Sequence, residues 1–359
     1  MADGLVALNP PSEALRLATS TFGAQVVATH VLAGLGFQLV QLRLFGIDAV
    51  TALEELSLRH PGVFALQHLY KPAQRAGKPV PPGGCTGVWC DLKTQMGWPL
   101  DSNSCGRQQR VGLVDTWVDT QLPGLALANM QTKSFLSDPQ RPARDGHGTA
   151  VAGVLVGGQL EGYQGLLPQA RLWVGMPFYA LPSGRSAADV IGVVRALDWM
   201  LQSGVRVVGL ALTGPSNGVL AQVVDRVQRR GVLLVAAAGN GGRLAPPAHP
   251  AALPGVLAVT AVARDNQAYR LANQGHYIGY AMPGVEVPIL DADGGVRSSS
   301  GTSYAVPFLV AAVSQSLHER RLSPAQWQAG QEVPVRDLGV RGRDPVYGWG
   351  VPSLGWRCP

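Results

Sequence analysis

Residues 205–239 read VRVVGLALTGPSNGVLAQVVDRVQRRGVLLVAAAG. Two near-continuous runs of Val, Leu and Ala (205–212 and 232–239) enclose an amphipathic stretch, 218–231, that closes on glycine. A half-buried strand alternates apolar and polar residues, whereas a run that is apolar throughout suits a parallel strand covered on both faces. The same alternation continues outward from this stretch. RVGLVDT (110–116) and ARLWVGM (170–176) read as further strands, GTAVAGVLVG (148–157) as the start of a helix, and 187–204 as a helix ended by glycine. The expected fold is therefore α/β: a mainly parallel sheet flanked by helices through right-handed crossovers, spanning 108–359. In such sheets functional residues gather at the carboxyl ends of the strands.

The chain ahead of that unit has a different pattern. QVVATHVL (25–32) and FQLVQLRL (37–44) alternate like half-buried strands, 48–60 opens with Asp48 and carries an apolar stripe at helical spacing, and 62–70 returns to a strand. Residues 1–70 are thus expected to form a small α+β domain of β-β-α-β order. Residues 71–107, rich in Pro, Gly and Cys, read as a linker.

Composition narrows the function. With 359 residues, 46% of them hydrophobic and 14% charged, the chain can bury a sizeable core and is no disordered polyelectrolyte. The net charge of +6 is scattered, and no basic face with interleaved aromatics marks a nucleic-acid partner. No apolar run reaches membrane-spanning length, and the first twenty residues lack the basic and apolar regions of a signal peptide. Cys85, Cys90, Cys105 and Cys358 form an even set, which favours disulfides over zinc and a secreted or periplasmic protein made with a signal absent from this sequence. Four cysteines allow three pairings; a Cys105–Cys358 bridge is the one that would tie the two ends of the larger domain together.

Four side chains stand where chemistry is expected. Asp115 closes the strand 110–116, where a buried acid can hold a histidine in one tautomer. His147 lies in a glycine-flanked turn, DGHGTAVAG (145–153), as a helix begins; flanking glycines let the backbone pass close to a partner. In SSSGTSYAVPF (298–308), Ser303 falls at a helix N-terminus, where backbone N–H groups favour developing negative charge, while Ser298, Ser299 and Ser300 precede it and Thr302 reads as the helix cap. Asn240 ends the strand 232–239 and can donate a hydrogen bond into the cleft. Orienting acid, general base, nucleophile and oxyanion donor are the set that acyl transfer by serine requires.

The ordered segments VDTWVDTQLP (114–123), DGHGTAVAG, AAAGN (236–240) and GTSYAVP (301–307) resemble the subtilisin-like serine proteases, and the chain order Asp, His, Ser is that family's order. The resemblance covers roughly 108–320. It implies a serine endopeptidase acting on peptide or protein substrates through an acyl-enzyme and needing no cofactor, with Asp115, His147 and Ser303 as triad and Asn240 in the oxyanion hole. It further implies that Leu210, Ala211, Leu212, Thr213 and Gly214 pair with substrate and that Ala238 and Gly239 wall the specificity pocket. The N-terminal unit then resembles a propeptide, an intramolecular inhibitor and folding aid of a zymogen.

Some positions depart from the family pattern. Trp117 replaces a glycine, which would strain a turn requiring positive φ. Ala150 and Tyr304 replace a common histidine and methionine, and Ala211 and Thr213 replace small residues of the substrate strand. The loop 157–168 lacks the Asn/Asp cluster of a calcium site, so a structural calcium is possible but unsupported. Two alternative activities share this framework: a peptide-holding relative without catalysis, and a ligase or macrocyclase in which an amine resolves the acyl-enzyme.

Overall fold

Every strand of the larger unit's main sheet is parallel to its neighbours, as the apolar runs require. The structure is a computed structural model that describes residues 4–73, 87–158, 160 and 163–358. The N-terminal unit runs β1 (Gly4–Leu8), α1 (Ser12–Phe22), β2 (Gln25–Leu32), β3 (Phe37–Arg43), α2 (Ala49–Arg59) and β4 (Phe64–Leu66). These strands form an antiparallel sheet of order β2-β3-β1-β4. The order is β-α-β-β-α-β, which corrects the expected β-β-α-β. The first strand, GLVAL, is buried along its whole length. Leu5 and Ala7 face a core shared with Ala14, Ala18, Ala52 and Leu56 of the two helices. Val6 and Leu8 instead join a core that includes Val193, Leu197, Leu220 and Val223 of the larger unit. With both faces covered, the strand shows no polar alternation.

β5 (Leu69–Pro72) follows, and then α3 (Val88–Gln95), whose Trp89 and Leu92 are buried in the larger unit's core. The span 71–107 is therefore not a plain linker: its described part from 87 onward is packed into the larger unit, while 74–86 lie outside the described residues. The larger unit continues with β6 (Arg110–Val114), β7 (Met130–Ser134), α4 (His147–Val156), β8 (Arg171–Met176), β9 (Phe178–Ala180), β10 (Ser186–Asp189), α5 (Val190–Gln202), β11 (Val207–Leu210), β12 (Leu212–Thr213), α6 (Gly218–Arg229), β13 (Leu233–Ala237), β14 (Leu257–Val262) and β15 (Tyr280–Pro283). A hairpin of β16 (Val287–Leu290) and β17 (Val296–Ser299) leads into α7 (Thr302–His318), and α8 (Pro324–Ala329), β18 (Val335–Arg336) and β19 (Val351–Pro352) complete the chain.

The parallel sheet has the order β15-β14-β13-β11-β6-β8-β7. Residues of α4 and α7 share one core with one face of its strands, and residues of α5 and α6 share another with the opposite face. The chain builds β7 and β8 on one side of β6 and β11, β13, β14 and β15 on the other. The order thus reverses beside β6, and such a switch point opens a crevice at the strands' carboxyl ends. Cys105 and Cys358 are disulfide-bonded, joining the two ends of the larger unit, and Cys90 is disulfide-bonded as well.

Three expected elements change character. The strand expected over 62–70 divides into β4 and β5, which belong to different sheets. Residues 187–189, expected to open a helix, belong to the strand β10, and α5 starts only at Val190 with the Asp189 side chain accepting from Gly192 N–H. The strand expected over 205–212 divides at Ala211 into β11 and β12. β12 pairs with β5, and β10 pairs with both β9 and β5; the β5 contacts come from more than a hundred residues away, which local pattern does not carry.

Candidate active site

Asp115 follows β6 directly, its N–H donating to Gly175 O on β8 at 3.1 Å. The turn that brings His147 to it depends on two glycines. Gly146 has φ 78°, a conformation that side chains resist, and a Cβ at Gly148 would stand 2.3 Å from Thr116 O. His147 then opens α4, and His147 Nδ1 lies 2.5 Å from Asp115 Oδ1. The same Oδ1 accepts from Thr116 N–H at 2.7 Å. With Nδ1 donating to the carboxylate, Nε2 is the basic nitrogen, and it lies 2.9 Å from Ser303 Oγ in the first turn of α7. All three side chains are buried.

Burial pushes the His147 imidazolium down, but the Asp115 charge, its hydrogen bond and the Asp145 charge together lift His147 above the ordinary imidazole value. Burial pushes Asp115 up, against the pull of His147 and the Thr116 N–H. An imidazole held this way favours its charged form when it accepts a proton from serine.

Asn240 is fixed through its carbonyl oxygen, which accepts from Thr302 N–H at 3.1 Å and Thr302 Oγ1–H at 3.0 Å. Thr302 Oγ1 also accepts from Gly239 N–H at 3.1 Å. Thr302 was expected to cap α7; it makes no cap bond there and instead orients the carboxamide. Asn240 Nδ2 is buried and has no hydrogen-bond partner among the described residues. A buried donor left unpaired costs about 1–3 kcal/mol. That cost is recovered when negative charge develops within its reach.

The crevice is occupied by the chain itself. β5 lies between β10 and β12, antiparallel to both, with Tyr70 opposite Ala188, Lys71 opposite Thr213 and Pro72 opposite Leu212. Ala73 is 3% exposed, and its carbonyl oxygen lies against Ser303 Oγ and 3.4 Å from Ser303 N. Three residues earlier, the Tyr70 ring is 1% exposed and its hydroxyl donates to Pro215 O at 3.4 Å. The ring passes so close to Gly214 that a Cβ there would stand 2.3 Å from it.

Of the other expected residues, Leu212 and Thr213 pair with β5, and Gly214 bridges His249 while touching Tyr70. Leu210 does not reach the peptide; it belongs to β11 inside the parallel sheet, opposite Val114 and Ala236. Ala211 is buried between the two strands, and the Ala238 carbonyl accepts from Tyr277 Oη–H at 2.7 Å. Trp117 is not among the side-chain residues with positive φ, so its turn carries no such strain, and its ring is covered by the Arg144 guanidinium at 4.3 Å. Tyr304 is fully buried with its ring 5.5 Å from that of His147. Residues 159, 161 and 162 of the loop 157–168, where the sequence offers no support for calcium, lie outside the described residues. Sequence reasoning missed Tyr70–Ala73, Thr116, Asp145 and Ser186. An Asp two residues before a candidate base was the one local signal it could have weighed.

The chain is similar in sequence to known proteases. The chain is 31% identical over 253 residues to a thermostable alkaline protease of Halalkalibacterium halodurans, spanning 70% of this chain and 67% of that one. It is 29% identical to the minor extracellular protease Epr of Bacillus subtilis, over 68% of this chain and 38% of Epr, and 28% identical to subtilisin E over 58% and 55%. The match thus covers only part of some relatives' length. In fold it is similar to the crystal structure of fervidolysin from Fervidobacterium pennivorans, a keratinolytic enzyme related to subtilisin, at a TM-score of 0.75 and 18% identity, over 99% of this chain and 61% of that one. The model of the subtilase family matches residues 106–350, more than half of the sequence, and the chain belongs to that family.

Proposed function

We propose that the protein is a serine endopeptidase made as a self-inhibited precursor, and that its first substrate is its own Ala73–Gln74 bond. The observation that carries this reading is the Ala73 carbonyl held against Ser303 by a strand paired on both sides. Ser303 Oγ attacks the carbonyl carbon as its proton passes to His147 Nε2, and Asp115 stabilises the resulting imidazolium. The oxyanion accepts hydrogen bonds from Ser303 N–H and Asn240 Nδ2–H. As the C–N bond breaks, His147 returns the proton to the leaving amine, and water then resolves the acyl-enzyme by the same path.

After the cut, the segment ending at Ala73 would remain as an inhibitor bound in the crevice. Several hydrogen bonds support this: Leu35 N–H donates to Asp198 Oδ1 at 2.9 Å, Asn217 Nδ2–H to Leu66 O at 2.8 Å and Gln222 Nε2–H to Gly62 O at 2.7 Å. Its disulfides and its likeness to an extracellular protease support export. The absence of positive φ at Trp117 supports catalysis over a peptide-holding relative.

A fluorophosphonate probe tests the assignment. Processed protein should be labelled at Ser303 and hydrolyse casein, and Ser303→Ala should do neither. Casein hydrolysis by Ser303→Ala equal to wild type would overturn it.

A further inference from the structure

Asp145 precedes the candidate base by two residues, and although it lies at the surface both its carboxylate oxygens are engaged. Oδ1 accepts from Thr116 Oγ1–H at 2.7 Å and from His147 N–H at 3.0 Å. Oδ2 accepts from Ser186 Oγ–H at 2.6 Å. Thr116 Oγ1 in turn accepts from Gly148 N–H at 2.9 Å. One carboxylate therefore joins three segments that are distant in sequence. Thr116 follows the triad acid, the 146–148 turn carries the base, and Ser186 opens β10, whose Ala188 and Asp189 pair with Tyr70 and Leu69 of the strand in the crevice.

We propose that Asp145 is a positioning residue that fixes the His147 turn relative to both Asp115 and the strand on which substrate is paired. The proposal rests on the acyl-transfer reading above. Hydrogen bonds to a charged acceptor are stronger than neutral ones, so one carboxylate taking three donors can hold a short glycine turn in place. Occupancy of β10 by a peptide is then felt at the imidazole through two hydrogen bonds, Ser186 to Asp145 and His147 N–H to Asp145. The same carboxylate adds a second negative charge beside the imidazole. The groups facing that ring are Asp115 from the end of β6, Asp145 from its own turn, and the uncharged Ser303 and Tyr304 from α7.

The test uses processed full-chain protein with active sites counted by fluorophosphonate labelling. Asp145→Asn keeps the shape and removes the charge and one acceptor. Per labelled site, kcat should fall about ten- to hundredfold with a smaller change in KM. The acid limb of kcat/KM should move to lower pH, because the imidazolium loses a stabilising anion and the base is free earlier. Ser186→Ala cuts only the β10 arm: KM for a peptide long enough to pair with β10 should rise while the acid limb stays in place. This second variant keeps the proposal testable if Asp145→Asn does not fold. An Asp145→Asn enzyme with wild-type kcat and an unmoved acid limb overturns the proposal, as does a Ser186→Ala enzyme with wild-type KM. A wild type that is not labelled at all overturns the acyl-transfer reading itself, and this proposal with it.

Discussion

The parallel sheet of the larger unit and the antiparallel sheet of the N-terminal unit meet across α5 and α6, and they are covered unequally. The parallel sheet has its own helices on both faces, and a disulfide closes the unit's two ends. The N-terminal sheet has its own helices on one face only; its other face, with Val6, Leu8, Leu39 and Ala65, is covered by residues of α5 and α6. A small domain buries a smaller share of its surface than a large one, so it depends more on such a borrowed core. The unit that carries Asp115, His147 and Ser303 is complete in itself, and the unit that fills its crevice is complete only while docked. If the N-terminal unit is the inhibitor proposed above, this construction would make it removable once its covalent link is cut.

Four substitutions probe the contrast, from the largest expected effect to the smallest. Ser303→Ala should reduce peptide hydrolysis by on the order of a millionfold and leave the chain uncut; this magnitude is the loss known for the subtilisin nucleophile, carried over to this chain. Asn240→Ala should cost roughly a hundred- to a thousandfold in kcat, again the subtilisin value, with the precursor folding normally by circular dichroism. If its loss is below tenfold, the unpaired Nδ2 is not the oxyanion donor.

Tyr70→Ala tests the restraining side. Fully burying a large apolar side chain contributes about 1.5–3 kcal/mol. Cleavage of the precursor, followed by gel, should therefore slow by about ten- to hundredfold. An unchanged rate would mean that Ala73 is held by main-chain pairing alone.

Lys93→Met tests whether the buried Lys93 of α3 makes the stability of the larger unit depend on pH. The Lys93 ammonium is 1% exposed and donates to Ser102 Oγ at 2.8 Å; burial lowers its pKa from 10.5 to about 8. Between pH 8 and 10.5 the unfolded chain then binds more protons at this residue than the folded one, so stability should rise with pH across that window. The rise in urea midpoint should be smaller in Lys93→Met than in wild type. An equal rise in both would remove Lys93 as its source.

The parallel sheet was legible because a strand covered on both faces reads as an uninterrupted apolar run, as 111–114, 207–210 and 233–237 do. The same rule hid β1: GLVAL is also covered on both faces, but one of the covers belongs to the other unit, and five residues among polar neighbours gave no period. Asp115, His147, Ser303 and Asn240 stood out in the sequence because each lies shortly past a strand or in the first turn of a helix. What surrounds them was not. Thr302 has a cap's sequence position, yet its hydroxyl serves Asn240, 62 residues away. The closing of the crevice by Tyr70–Ala73 depends on partners in β10, β12 and α7, the last 230 residues from Ala73. Contacts over such separations leave no periodicity in either partner.

The central claim is that Ala73 occupies the crevice as a substrate. Intact mass with N-terminal sequencing of the purified full chain tests it, with Ser303→Ala measured in parallel. The account predicts that wild type yields fragments meeting at Ala73–Gln74 and that Ser303→Ala stays whole. A wild type that labels at Ser303 and hydrolyses casein while its own chain remains intact, or is cut only elsewhere, would contradict it.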